Sequence, residues 1–129
     1  MKNPILIADI GGTNARFALI EIGNDELQHV HVLPCANYAG ITEAIEAYFA
    51  LPDIAKLPRA TKAAIAIANP ITGDSVQMTN NHWRFSQSAV KKALGFSQFL
   101  LANDFTALAL SLPHLKAHEM VQIGEGIAE

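Results

Sequence analysis

Cysteine is almost missing from this chain. Cys35 stands alone in 129 residues, so no internal disulfide can form, and a lone cysteine reads as a packing residue. Positive charge is scarce as well. Nine Lys and Arg against twelve Asp and Glu leave a net charge of −3, without the basic stripe that a nucleic-acid surface needs. No apolar run approaches membrane length, and the short one after Lys2 lacks the small-residue cleavage site of a secretory signal. The expectation is a cytoplasmic protein that engages neither membrane nor nucleic acid. Internal repeats, low-complexity tracts and flexible linkers are also missing. What remains is 50% hydrophobic, long enough for one domain, and able to bury roughly two thirds of its unfolded surface.

The most informative stretch is Ala8-Asp9-Ile10-Gly11-Gly12-Thr13-Asn14-Ala15-Arg16. Ile5 to Ala8 before it form a continuous apolar run, the pattern of a buried strand. Ala15 to Glu21 after it are rich in β-formers and run into the turn cluster Gly23-Asn24-Asp25, so a second strand is expected. A dinucleotide fingerprint needs a helix opening at its glycines, and a Walker loop needs a Gly-Lys-Ser/Thr ending; neither fits. A β-hairpin is left, with bare backbone N–H groups expected to point outward from a glycine tip that phosphate oxygens can approach closely. Asp9 would end the first strand, where it could hold Mg²⁺ through water. An ordinary hairpin turn uses the same residue types, and that reading stays open here.

Further along, Leu27 to Leu33 place His29 and His31 on one face and Val30 and Val32 on the other, up to Pro34. This is a third strand at a sheet edge, with the histidines expected on a solvated face and without a metal, since no third ligand is near. His114 and His118 have helical metal-ligand spacing, but Pro113 and the lack of an acidic partner argue against a site. Ile41, Ala44, Ile45, Tyr48 and Phe49 predict an amphipathic helix between Gly40 and Leu51. Lys62 to Ala68 lack alternation and read as a central strand, covered on both sides and parallel to the first. A helix capped by Ser86 should turn Val90, Ala93 and Leu94 inward and end at Gly95, with Lys91 and Lys92 near its C-terminal dipole. The strand Phe99 to Ala102 then leads into Asn103-Asp104 and a helix from about Phe105 to Leu112.

Three hairpin-linked strands followed by right-handed crossovers predict an α/β fold, a five-stranded mixed sheet flanked by helices. Such sheets bind ligands at the carboxyl ends of parallel strands. Asp9 and Asp104 both lie at such ends. Asn103 and Asp104 could receive a small polar ligand from rigid structure, or could simply cap the following helix.

Four blocks together resemble the bacterial glucokinase family, within the sugar-kinase, actin and Hsp70 superfamily. They are Asp9 to Arg16, Ile65-Ala66-Ile67-Ala68-Asn69-Pro70-Ile71-Thr72-Gly73-Asp74, Met78-Thr79-Asn80-Asn81-His82-Trp83-Arg84-Phe85-Ser86, and Asn103-Asp104-Phe105-Thr106-Ala107. The resemblance implies a ribonuclease H-like (actin-like ATPase) domain and transfer of a phosphoryl group from ATP, with Mg²⁺, to the 6-hydroxyl of glucose. It places Ala8, Asp9, Ile10, Gly11, Gly12, Thr13 and Asn14 at the ATP phosphates and Asp9 at the metal. Asp104 becomes the catalytic base, with Asn103 and, more weakly, Asn80 on the sugar. The polar segment from Asn69 to Trp83 would form a wall over the sugar, with Trp83 as a packing anchor.

The family's second phosphate loop, further sugar contacts and adenosine pocket find no counterpart before Glu129. Residues 1–129 are therefore expected to be the N-terminal, small domain of a two-domain glucokinase, inactive without the C-terminal domain. An exposed inter-domain face would favour a homodimer. Related domains also occur as sugar sensors fused to DNA-binding segments, so a transcriptional regulator or a bifunctional kinase and regulator is the alternative.

Overall fold

A computed structural model describes residues 4–21, 24–69, 71, 73–78 and 81–103. Strand β1 (Pro4–Ile10) is buried at every position, as its unbroken apolar run requires, and pairs antiparallel with β2 (Asn14–Glu21). Strand β3 (Asn24–Pro34) pairs with β2 at the sheet edge and starts inside the segment expected to be a turn. A 3-10 turn over Cys35–Asn37 leads to α1 (Ile41–Phe49) and the short α2 (Pro52–Ala55). Strand β4 (Lys62–Ile67) follows, then a hairpin of β5 (Ser75–Gln77) and β6 (Arg84–Ser86), then α3 (Gln87–Leu94) and β7 (Gln98–Ala102).

The main sheet is five-stranded in the order β3-β2-β1-β4-β7, and β4 lies between β1 and β7, parallel to both. The mixed α/β sheet predicted from the sequence is therefore the one observed. The β5-β6 hairpin forms a separate two-stranded sheet that the apolar pattern did not reveal. Its strands are three residues each, with one buried side chain apiece, Val76 and Phe85, too short for a periodic signal. The helix expected from Phe105 to Leu112, like His114 and His118, falls outside the described residues.

One face of the sheet presents Leu6, Ala8, Ile10, Phe17, Leu19, Ile65 and Ile67 to α1, α3 and the hairpin, and this is the larger core. Trp83 is completely buried in it, the packing anchor the sequence predicted, and donates Nε1–H to the Tyr38 carbonyl at 3.2 Å. The other face buries Ile5, Ile7, Ala18, Ile20, Ala64, Ala66 and Ala102.

Helix α3 is fixed at both ends. Ser86 Oγ accepts from Ala89 N at 3.2 Å, Asp74 Oδ1 accepts from Ser88 N at 2.8 Å, and Asp74 also accepts from the Ser86 and Ser88 hydroxyls. At the other end Gly95 adopts φ 71° and Phe96 N returns to the Lys91 carbonyl at 3.0 Å, a left-handed stop that glycine takes without steric cost. Val90 and Leu94 face inward as expected. Ala93 does not: it is exposed, because the buried stripe of this two-turn helix is narrow enough for two side chains to fill.

The edge strand departs from expectation too. Between Phe17 and Leu19 of β2, which pair with His31 and Gln28, β3 carries one extra residue, and His29 takes φ 54° at this bulge. His29 and His31 do share a face opposite Val30 and Val32, but the valines are the ones turned to solvent, at 49% and 47% exposure. The histidines point toward α1 and α2 and both meet Asp53 Oδ2, His31 Nε2 at 2.9 Å and His29 Nδ1 at 3.2 Å. Hydrogen bonding from His31, then His29, holds the Asp53 carboxyl below its usual range. Tyr48 OH donates to the His29 carbonyl at 2.8 Å, and burial followed by the Asp53 charge raises its pKa well above the ordinary phenol value.

Candidate active site

The parallel strands place three chain ends on one rim. Their register aligns Asp9 of β1 with Ala66 of β4, and Ala66 with Ala102 of β7. Gly11 follows β1, Ala68 and Asn69 follow β4, and Asn103 follows β7, all past the carboxyl ends where such sheets take ligands. Asn103 is exposed there. Asp104 and Asn80 lie outside the described residues.

Asp9 is only 7% exposed, on the face that carries the small side chains of Ala64, Ala66 and Ala102. Burial pushes its carboxyl up to about 7, and Arg16, its partner across the hairpin, pulls it partly back. The surroundings of this carboxyl therefore disfavour its charged form, and Arg16 offsets that only in part. Among the described residues no group of three or more His, Cys, Asp or Glu is arranged to hold a metal ion.

The turn between β1 and β2 is tied down from several sides. Gly11 N–H donates to the Asn14 carbonyl at 2.9 Å, so it is not one of the bare outward donors the sequence suggested. Antiparallel pairing explains this, since Gly11 and Asn14 continue the β1-β2 ladder by one step. Cys35 N–H donates to the Thr13 carbonyl at 2.8 Å, and the Cys35 thiol and Asn81 Nδ2 both donate to the Gly11 carbonyl, at 3.7 and 3.1 Å. Ala8 and Ile10 are fully buried by their side chains, so only their main chain can serve the rim. Gly11 and Gly12 are half-buried, and Thr13 and Asn14 are exposed at the tip.

The segment after β4 is anchored to this turn. Asn69, 4% exposed, donates Nδ2–H to the Gln77 carbonyl at 2.9 Å, and its Oδ1 is the buried side-chain acceptor left without a hydrogen bond among the described residues. Asn81 Oδ1 accepts from Trp83 N at 2.8 Å, while His82 Nε2 and Trp83 Nε1 both donate to the Tyr38 carbonyl. A buried acidic group at a strand end, a clamped glycine turn and a polar rim suit the positioning of an anionic and a polar ligand side by side.

Residues 6–129 match the family profile described as Glucokinase. The chain belongs to the glucokinase family. It is 48% identical over 129 residues to a glucokinase of Chromohalobacter salexigens, covering 99% of this chain and 39% of that protein. It is 54% identical over 123 residues to the "Bifunctional protein glk" of Paraburkholderia xenovorans, covering 95% of this chain but 19% of that protein. A crystal structure of a glucokinase from an Antarctic psychrotroph superposes with a TM-score of 0.72 at 38% identity, over 92% of this chain and 37% of the other. The chain thus spans well under half the length of the relatives it matches. No helix among the described residues is long and apolar enough to cross a membrane.

The glucokinase blocks that the sequence singled out around Asp9 and Asn103 come to the same rim. Sequence reasoning placed Asn69 and Asn81 in the polar segment expected over the sugar but missed their contacts, because their partners are main-chain carbonyls set by the fold: Gly11 lies 70 residues from Asn81.

Proposed function

We propose that this chain supplies the phosphate-binding and sugar-binding half of an ATP-dependent glucokinase that forms glucose 6-phosphate in the cytoplasm. The observation that carries this reading is the register that puts the Gly11-Gly12 turn, Asp9 and Asn103 on one rim, in a chain matched by the glucokinase profile over residues 6–129. In this reading residues 1–129 are the small N-terminal domain, and a C-terminal domain closes the cleft over the adenosine.

Asp9 fits a cation. It is a buried carboxylate with an incompletely balanced charge and no cage of further acidic ligands beside it among the described residues, which suits Mg²⁺ held largely by water and phosphate oxygens. When bound, that ion would offset negative charge on the transferring phosphoryl group. The main chain from Ala8 to Asn14 holds the phosphates, with Gly12, Thr13 and Asn14 rather than Gly11 N–H as donors. Asn103, with Asn80 in a lesser role, hydrogen-bonds the sugar. Asp104 orients the 6-hydroxyl and takes its proton as the oxygen bonds to phosphorus, consistent with a reaction governed by alignment and charge neutralisation.

Replacing the base tests the assignment. Asp104→Ala in the complete gene product should lower kcat by several orders of magnitude with an unchanged circular dichroism spectrum. A near-normal rate would return Asp104 to helix capping. A second reading, a chain with a further activity beyond the kinase, is favoured by the 54% identity to a relative named bifunctional of which this chain spans 19%.

A further inference from the structure

Gly11 and Gly12 share a peptide plane whose orientation decides whether the turn can receive an anion. No cis peptide occurs among the described residues, so the Gly11 C=O and the Gly12 N–H point in opposite directions. The carbonyl points at Asn81 Nδ2, 3.1 Å away, and at the weaker thiol donor of Cys35. The Gly12 N–H therefore faces away from both, out of the turn. Gly11 is not crowded at its α-carbon: a methyl group built there would meet nothing closer than the Asn14 carbonyl at 3.7 Å, an ordinary contact. A pair of glycines left to itself would sample several orientations.

The orientation of the Asn81 amide is itself determined. Its Oδ1 accepts the Trp83 N–H at 2.8 Å, which only an oxygen can do, so the NH₂ must face Gly11. Trp83 in turn is fully buried and bonded to Tyr38. The core thus aims a donor at the turn through one side chain.

We propose that Asn81 is a positioning residue that holds the Gly11-Gly12 peptide so that the Gly12 N–H is presented to a nucleotide phosphate. This rests on the kinase reading above for the identity of the anion, and assigns to the β5-β6 hairpin a second task besides walling the sugar. In this role Asn81 acts through the Gly11-Gly12 peptide, since its amide is engaged by the Gly11 carbonyl and the Trp83 N–H.

Asn81→Asp is the informative variant, because it keeps the acceptor for Trp83 N–H and replaces the donor with an oxygen that repels the Gly11 carbonyl. In the complete gene product, KM for MgATP should rise about tenfold or more, with KM for glucose within about twofold and a melting temperature near that of the unaltered protein. An unchanged KM for MgATP would overturn the proposal. So would a parallel rise of both KM values with a lowered melting temperature, the signature of a merely structural role. A variant that does not fold leaves the decision to the unaltered protein, titrated with Mg²⁺ and the non-hydrolysable analogue AMPPNP. The Gly12 amide resonance should then shift far more than that of Gly11, and a silent Gly12 would contradict the proposal. Failure of the unaltered gene product to phosphorylate glucose would count against the kinase reading alone, since the Gly12 titration does not depend on the sugar.

Discussion

Asp9 shows how a single side chain can be unfavourable for folding and useful for chemistry. Its carboxyl is pushed up to about 7 mainly by burial. The unfolded chain releases this proton near the ordinary value of about 4 while the folded chain keeps it until about 7, so stability falls as pH rises through that window. Asp9→Asn should therefore stabilise the protein at pH 8, by an amount on the order of a few kcal/mol, and flatten this part of the pH profile in urea unfolding. The same variant should lose Mg²⁺-dependent nucleotide binding. A destabilised variant would mean that the Asp9 charge is better balanced than its burial indicates. At this scale the sequence was informative about identity but not about contacts. Asp9 could be picked out because a carboxylate ended an apolar run, whereas the contact of Asn81 with the turn could not, since its partner is a carbonyl without residue-specific signature.

Helix α3 was the most legible element, because both of its end signals are local. Ser86 and Gly95 act within a few residues of themselves, and each does in the structure what its chemistry suggests. Ser86→Ala should cost about 1 kcal/mol in chemical denaturation, the usual worth of an N-cap, plus the loss of its bond to Asp74. Asp74 brings an acid dependence. Hydrogen bonding from Ser86, then Ser88, holds its carboxyl below the ordinary range, so this tie is intact above about pH 4 and is lost as pH falls through the folded value. Asp74→Asn should weaken the acid-limb dependence of stability, and an identical limb in both proteins would contradict that role. The β5-β6 hairpin and the His29 bulge were illegible for the opposite reason. Three-residue strands carry no period, and a positive φ at a histidine is imposed by pairing with β2, not announced by the residue itself. The histidines looked solvated by alternation alone; Asp53, on an element too short to predict, gave them a partner.

At the scale of the molecule, the sheet order followed from element order because hairpins and right-handed crossovers leave few ways to arrange five strands. That order brings the Gly11-Gly12 turn and Asn103 to one rim although they are distant in sequence, and this is the physical basis for reading the chain as one side of a cleft. The chain spans 39% of the Chromohalobacter glucokinase and 19% of the bifunctional relative. In the proposed reading, the groups that grip adenosine and complete the sugar pocket belong to the C-terminal domain. Phosphoryl transfer depends on holding both substrates in line, so one side of a cleft should contribute little rate by itself. The most direct test is a coupled assay for ATP-dependent glucose 6-phosphate formation, run on the complete gene product and on the isolated 129-residue chain. Robust formation by the complete product and negligible formation by the isolated chain are expected. Robust activity in the isolated chain, or none in the complete product, would contradict the proposed reading.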